Sequence, residues 1–299
     1  MKAVVFGGSG FIGSHVADKL TEKKYDVKIF DLKESPHLKR NQEMIIGDIR
    51  DAAAVGKALK GCDYVYNFAG IANLDDASTR PVDTVNENIL GNTIILGASV
   101  KEKIKRFVYA STIYVYSDSG GFYRCSKQAA ELYIEEFNRK YGLNYTILRF
   151  GTVYGSRADE RNSVYRYLKQ ALTEGKITGY GTGDEIREYI NVKDVANACV
   201  EILSKEFENK HIILTGHNPM KFRDMLETIR EILNDRVKIE LRPPIGGRNH
   251  YSITPYSFIP KIGEKYFSRT HVDLGQGLLE CLHEIYQEIN NEEKRHAKR

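Results

Sequence analysis

Tyr123 and Lys127 stand four residues apart in Tyr123-Arg124-Cys125-Ser126-Lys127, with Thr112 eleven positions upstream. On a helix, side chains at that spacing share one face, a turn apart. A free phenol has a pKa of ~10 and is a poor base at neutral pH. An ammonium one turn away favours the phenolate and brings that pKa toward the working range. The spacing therefore builds a proton-abstracting group, although Tyr-x-x-x-Lys arises by chance on many helices. A glycine-rich loop more than a hundred residues earlier gives it weight.

That loop, Phe6-Gly7-Gly8-Ser9-Gly10-Phe11-Ile12-Gly13, follows a β-rich apolar run and opens a helical pattern. Gly7 permits a tight turn, Gly10 lets backbone approach a pyrophosphate, and Gly13 lets helix and strand pack closely. The helix start, with Phe11 and Ile12, offers free N–H groups and a positive dipole end to an anion. A second strand ends at Asp31, eighteen residues after Gly13, where a carboxylate accepts hydrogen bonds from an adenosine ribose. The same carboxylate repels a 2′-phosphate, which favours NAD over NADP, while Lys33 nearby leaves NADP open. Gly47-Asp48-Ile49 closes a third strand, where Asp48 reads equally as a partner of the adenine amino group or as the N-cap of the next helix. Phe68-Ala69-Gly70 ends a fourth strand with small residues that let backbone lie against a cofactor. Asn88 falls inside a helix, a poor place for an amide without a partner.

The frame that must position these residues is legible in the apolar pattern. Short β-rich runs at residues 3–6, 27–30, 44–46, 64–68, 107–110 and 145–148 alternate with helical stretches at 11–22, 52–59, 82–101 and 123–139. This alternation predicts an α/β fold, a Rossmann-type doubly wound parallel sheet with helices on both faces. Such sheets bind ligands beyond the carboxyl ends of the strands, where strand order reverses. After residue 151 the rhythm loosens, with helices near 163–173, 194–204 and 222–233 joined by stretches rich in Gly, Pro and Arg. Residues 1–150 and about 192–215 are expected to form the NAD-binding domain, and 151–191 with 216–288 a smaller C-terminal substrate-binding lobe. Residues 289–299 read as a basic, frayed tail.

Bulk properties narrow the classes. The 299 residues carry a net charge of only +4 and no fold-wide basic stripe, which argues against nucleic acid as a partner. The four cysteines are far apart and form no Cys-x-x-Cys pair, so neither a metal site nor a disulfide scaffold is expected, and a reducing compartment fits. Met1-Lys2 runs directly into Ala3-Val4-Val5-Phe6, too short for a signal-peptide core, and no apolar run approaches the ~20 residues of a membrane span. A cytoplasmic protein without membrane contact is the expectation.

Taken together, the segments resemble the extended short-chain dehydrogenase/reductase superfamily, and within it the NAD-dependent sugar-nucleotide epimerase/dehydratase family. The resemblance covers about residues 2–215. It is carried by the glycine loop, Asp31, Gly47-Asp48, Asn67-x-Ala69-Gly70, Asn88-x-x-Gly91, Val108-Tyr109-Ala110-Ser111-Thr112, Tyr123-x-x-x-Lys127, Leu148-Arg149-Phe150-Gly151-Thr152-Val153-Tyr154-Gly155, and Arg187-Glu188-Tyr189-Ile190-Asn191-Val192-x-Asp194-Val195. It implies that Tyr123 is base and acid toward a sugar hydroxyl, that Thr112 hydrogen-bonds that hydroxyl, and that Lys127 binds the nicotinamide ribose. It places Gly7, Gly10, Phe11, Ile12, Gly13, Asp31, Asp48, Ile49, Phe68, Ala69, Gly70, Asn88, Ser111 and Phe150 around NAD. Thr152 and Arg187 fall on the nucleotide sugar, Arg187 at its diphosphate, with Arg248 as a second arginine. His250 and Tyr251 belong to a segment dense in polar aromatics that is expected to line the sugar pocket. A surface salt bridge for Arg187 and a structural turn for residues 248–257 are the plain alternatives.

Two departures from the family pattern bear on the reaction. Dehydratases carry an Asp-Glu pair directly after the threonine, whereas this chain has Ile113-Tyr114, which argues against dehydration. Residues 117–122 form a shorter connection than relatives have, which should leave the sugar end more open. Cys125 invites a role as second acid/base, but two residues from Tyr123 it falls on the opposite side of the helix. The implied reaction is C4 epimerisation of a nucleotide-linked sugar, most simply a UDP-sugar, through a 4-keto intermediate. Net C4 oxidation or reduction by the same residues is the runner-up, and a non-catalytic dinucleotide sensor is a remote third. The resemblance also implies a homodimer through residues 82–101 and 123–139.

Overall fold

The computed structural model describes residues 1–243, 253–255 and 264–296. In chain order the strands are β1 Lys2–Phe6, β2 Asp26–Asp31, β3 Gln42–Ile46, β4 Tyr64–Asn67, β5 Arg106–Thr112, β6 Tyr145–Phe150, β7 Thr152–Tyr154, β8 Lys176–Tyr180, β9 Ile186–Arg187, β10 Tyr189–Asn191, β11 Lys210–Leu214, β12 Met220–Lys221, β13 Lys238–Arg242 and β14 Glu264–Lys265. The helices are α1 Phe11–Glu22, α2 Ala52–Leu59, α3 Leu74–Thr79, α4 Pro81–Val85, α5 Asn92–Lys101, α6 Gly121–Tyr141, α7 Ser163–Glu174, α8 Val192–Glu201, α9 Phe222–Ile232 and α10 Leu274–His296. No described helix is long and apolar enough to cross a membrane.

Two compact units emerge: Met1–Phe150 with Val195–Leu214 and Pro255–Ser268, and Gly151–Asp194 with Thr215–Thr254 and Arg269–Arg299. The first holds an eight-stranded sheet in the order β14-β11-β6-β5-β4-β1-β2-β3, every pairing parallel. Strand order reverses between β1 and β4. The central strands read as unbroken apolar runs because helices cover both faces; Ala3 through Phe6 and Tyr145 through Phe150 are all buried. On one face Val4, Phe6, Val65, Phe107 and Tyr109 pack against Leu96 of α5 and Ala130 and Ile134 of α6. The expected return of the chain to this sheet after residue 194 is present, as β11 alongside β6.

Three local features depart from the sequence reading. The helical stretch expected over 82–101 contains a π-helical turn at Asn86–Gly91 between α4 and α5. The cap of α2 is Asp51, whose carboxylate accepts from Ala53 N and Ala54 N, while both carboxylate oxygens of Asp48 instead accept from Arg50 Nε at 3.0 Å. The chain beyond residue 289, read as frayed, continues as α10 to His296.

The second unit is built on α7, α9 and α10, whose Leu168, Leu226, Ile229, Leu278 and Ile285 form its core with Ile177 of β8. Three two-stranded pairs, β7 with β10, β8 with β13 and β9 with β12, complete it.

Candidate active site

The reversal of strand order opens a crevice that the glycines shape. Gly7, at φ +74°, brings its α-carbon so close to the end of β4 that a Cβ there would lie 2.6 Å from Ala69 N. Gly7 N donates to Phe30 O and Phe68 N to Phe6 O, each at 2.9 Å, so β2, β1 and β4 are tied at this point. Gly13 faces the loop itself, and a Cβ would lie 2.2 Å from Gly7 O. No side chain caps α1 at Gly10 and its first turn holds no acidic residue, which leaves the opening amides to an anion. Asp31 is anchored by Ser9 N, which donates to Oδ2 at 3.0 Å. Small backbone-lined walls, an uncapped helix start and a fixed carboxylate at a strand-order reversal suit a dinucleotide, so the residues present fit NAD. Gly7, Gly10, Phe11, Ile12, Gly13 and Asp31 would hold it, with Phe68, Ala69 and Gly70 opposite.

Asn88 finds the partners its helical position demanded. Its Oδ1 accepts from Ile71 N at 2.8 Å, and Nδ2 donates to Ile71 O and Ser126 Oγ, both at 2.9 Å. Both its donors are thus spent on protein atoms, and the π-helical turn carries a clamp between the loop after β4 and α6. Gly70, at φ +129°, is required there, because a Cβ would sit 2.3 Å from Asn88 Oδ1.

The end of β5 and the first turns of α6 bring Thr112, Tyr123 and Lys127 together. Thr112 and Tyr123 share a side-chain hydrogen bond. Lys127 is buried, donates from Nζ to Ala110 O at 2.8 Å, and lies 5.8 Å from the Tyr123 ring centroid. Burial pushes the Tyr123 phenol up to about 12, opposed only by the hydrogen bond with Thr112. Burial also pulls Lys127 down to about 8, opposed by the Glu131 carboxylate one turn on. The sequence expectation of a phenol lowered by its lysine is therefore not met by the chain alone. The ammonium is bonded to a backbone carbonyl rather than to the phenol, and desolvation dominates.

Tyr114, in the position where dehydratases carry a carboxylate, sets its ring edge against Tyr123 with centroids 6.3 Å apart. Gly120, at φ +97°, makes room for that ring, since a Cβ would lie 2.8 Å from Tyr114 Cδ1. The short connection of residues 117–120 is fastened to α6 by Arg124 Nη1, which donates to Ser117 O at 2.8 Å, while Gln128 Nε2 donates to Val115 O at 2.9 Å. Cys125 is exposed.

Sequence reasoning missed a buried charged cluster next to this pair. Ser111, expected beside the cofactor, donates its hydroxyl to Glu131 Oε1 at 2.5 Å, and Arg149 Nη2 donates to Glu131 Oε2 at 2.6 Å. Arg149 in turn donates to the Tyr116 hydroxyl. One signal was available: a charge inside the apolar strand Thr146-Ile147-Leu148-Arg149-Phe150 demands a partner.

Phe150 is buried at the end of β6, its ring stacked on Phe68 at 6.4 Å, and Ile49 is buried in the core. In the second unit, Thr152 N donates to Glu188 O at 3.3 Å and β7 runs parallel to β10. Arg187, on β9, is half-buried and donates from Nη1 to Ile186 O at 3.1 Å. Arg248, His250 and Tyr251 lie outside the described residues.

Comparison with known proteins agrees with this fold. A profile of the NAD dependent epimerase/dehydratase family matches residues 3–216. A putative UDP-glucose 4-epimerase of Methanocaldococcus jannaschii is 29% identical over 78% of this chain and 83% of its own. UDP-glucuronic acid decarboxylase 1 of Arabidopsis thaliana is 26% identical over 98% of this chain and 72% of its own. Among solved structures, the UDP-glucose 4-epimerase of Thermotoga maritima with UDP-glucose superposes with a TM-score of 0.84 at 25% identity, covering 97% of this chain and 100% of that one. With the profile spanning most of the chain, this protein belongs to the NAD-dependent epimerase/dehydratase family and is an NAD-dependent enzyme.

Proposed function

We propose that the enzyme epimerises a UDP-linked sugar at C4. The observation that carries this reading is the cluster of Thr112, Tyr123 and Lys127 at the end of β5, without a carboxylate at residues 113 and 114. Relatives named as UDP-glucose 4-epimerases support it. Bound NAD supplies reversible oxidation of a carbinol carbon and, when oxidised, a positive charge. The chain's own part is proton handling and placement. Thr112 Oγ1 orients the 4′-hydroxyl; Tyr123 Oη takes its proton and later returns it. Lys127, held on Ala110 O, favours the phenolate while it remains an ammonium. Arg187 is the proposed partner of the diphosphate, and Thr152 of the sugar.

Incubation with UDP-glucose and related UDP-sugars, with C4 configuration followed by NMR, tests the reaction directly. Interconversion at C4 is the expected result, and unchanged sugars would refute it. Accumulating absorbance of reduced nicotinamide would indicate net oxidation instead. The pH profile carries its own sign. Lys127 supports the phenolate only when protonated, and burial holds it at about 8. We expect kcat to fall through about pH 8 on the alkaline side, and a plateau extending to pH ~10, the ordinary lysine value, would contradict this role.

A homodimer through α4, α5 and α6 belongs to the same proposal. It is supported by apolar side chains left exposed on α4, on α6 and on the turn between α4 and α5: Val82 at 70%, Val85 at 50%, Leu90 at 49% and Leu132 at 52%. Sedimentation should give twice the chain mass; a purely monomeric profile would contradict it. Four unpaired thiols support a reducing, cytoplasmic setting.

A further inference from the structure

Tyr123 and Lys127 share their face of α6 with a third residue, one turn beyond the lysine. Glu131 is 2% exposed, and its carboxylate meets three strands. Ser111 of β5 donates to Oε1 at 2.5 Å; Arg149 of β6 donates Nε to Oε1 at 3.1 Å and Nη2 to Oε2 at 2.6 Å. His211 of β11 has Nε2 4.0 Å from Glu131 Oε2 and 3.1 Å from Glu135 Oε1. Lys127 itself faces Tyr109 of β5, whose ring centroid is 4.8 Å from Nζ, and Tyr123. The Tyr116 ring faces the Arg149 guanidinium at 4.5 Å.

Stability alone is a weak reason for such a cluster, because well-packed apolar residues in place of a buried ion pair are often neutral or stabilising. The residues flanking Ser111 supply a better one. Ala110 offers the carbonyl that holds Lys127, and Thr112 carries the hydroxyl that meets Tyr123. A hydrogen bond from the residue between them to the helix that bears both partners fixes one element against the other.

We propose that Glu131 is a positioning residue of the proton-transfer pair, holding α6 against the end of β5 in the register at which Lys127 meets Ala110 O and Tyr123 meets Thr112, and sustaining the charge of Lys127. The electrostatic half agrees with the sign of its effect, since the Glu131 carboxylate raises the lysine against desolvation. The proposal rests on the reading of Tyr123 and Lys127 as the pair that moves the proton.

The test is a steady-state pH profile of the NAD-loaded enzyme and its variants with UDP-glucose. Glu131→Gln should lower kcat roughly tenfold or more with KM within about threefold, as misplacement of reacting groups does. It should also move the alkaline limb to lower pH by about one unit, because the lysine loses a neighbouring negative charge. Glu208→Gln, which breaks the Arg106 ion pair at the opposite end of β5 (2.8 Å), should lower Tm and leave kcat and the limb unchanged. A folded Glu131→Gln enzyme with the parental kcat and limb would overturn the proposal. So would a loss of kcat with the limb unmoved, which marks a purely structural role. If Glu131→Gln does not fold, Ser111→Ala carries the test, since it leaves the Glu131–Arg149 pair whole. A several-fold loss of kcat at unchanged KM is then expected, with Tm lowered by a few degrees for the lost hydrogen bond, and the parental kcat would overturn the proposal. Tyr123→Phe separates the two levels: full activity there removes the underlying pair, whereas a dead Tyr123→Phe beside a normal Glu131→Gln removes only the role of Glu131.

Discussion

Replacing Tyr123 by Phe should lower kcat by at least ~10³-fold, about 4 kcal/mol of transition-state stabilisation. The ring, its edge contact with Tyr114 at 6.3 Å and the helix all remain, and only Oη and its hydrogen bond with Thr112 are lost. That hydrogen bond contributes on the order of 1 kcal/mol to stability, so the melting temperature should move by only a few degrees. Co-purified NAD should remain at parental occupancy, because the glycine loop and Asp31 are untouched. Single-turnover and steady-state assays of C4 configuration measure the first quantity, and calorimetry the others. A Tyr123→Phe enzyme within tenfold of the parent would remove the phenol from the reaction.

Gly13→Ala should have the second largest effect, on cofactor retention. The added Cβ would stand 2.2 Å from Gly7 O and 2.9 Å from both Gly7 C and Gly8 Cα. All three are backbone atoms, and none can rotate aside as a flexible side chain would. The loop must move, which carries Gly7 off the end of β4 and the first-turn amides off the phosphate position. We expect NAD to bind at least ~100-fold more weakly, roughly 2.7 kcal/mol, with a stability loss of about 1–3 kcal/mol from overpacking. Gly56→Ala is the internal control: it lies in α2 with nothing within 4 Å of the new Cβ. There the helix should gain up to about 1 kcal/mol and NAD affinity should not change. Titration calorimetry with NAD on both variants decides the matter, and parental affinity in Gly13→Ala would contradict the close approach of loop and strand.

The first half of the chain was readable because its strands, the edge strand β3 excepted, are buried on both faces. Runs such as Ala3-Val4-Val5-Phe6 admit few other structures between Gly-rich punctuation, and all six expected strands appear in the sheet. Helix α10 was not readable. Its opening, Leu274-Gly275-Gln276-Gly277, carries two glycines that sequence logic assigns to a loop. Gly277 stands there for a tertiary reason, because a Cβ would lie 2.6 Å from the Tyr154 hydroxyl and 2.7 Å from Asn191 Nδ2. The site divides in the same way. Tyr123 and Lys127 are local in sequence and were visible as a pair, whereas Glu131 on α6 acquires its meaning from Arg149, eighteen residues away on β6. The direction of the Tyr123 shift was misjudged because spacing along a helix reports proximity and not desolvation. Asp48 was misjudged as a possible cap because Asp51, three residues on, makes those bonds.

The Asn88 clamp has a consequence for motion. Ile71 sits outside regular secondary structure, yet its N–H and C=O are both held by a buried amide that also grips Ser126 on α6. Loop amides normally exchange with solvent through small local openings. Here opening must break contacts to the π-helical turn, which itself holds α6 through Ser126. The Ile71 amide should therefore exchange at the pace of α6, among the slow protons of the first unit. In its fluctuations, the segment after β4 belongs to the helix that bears Tyr123.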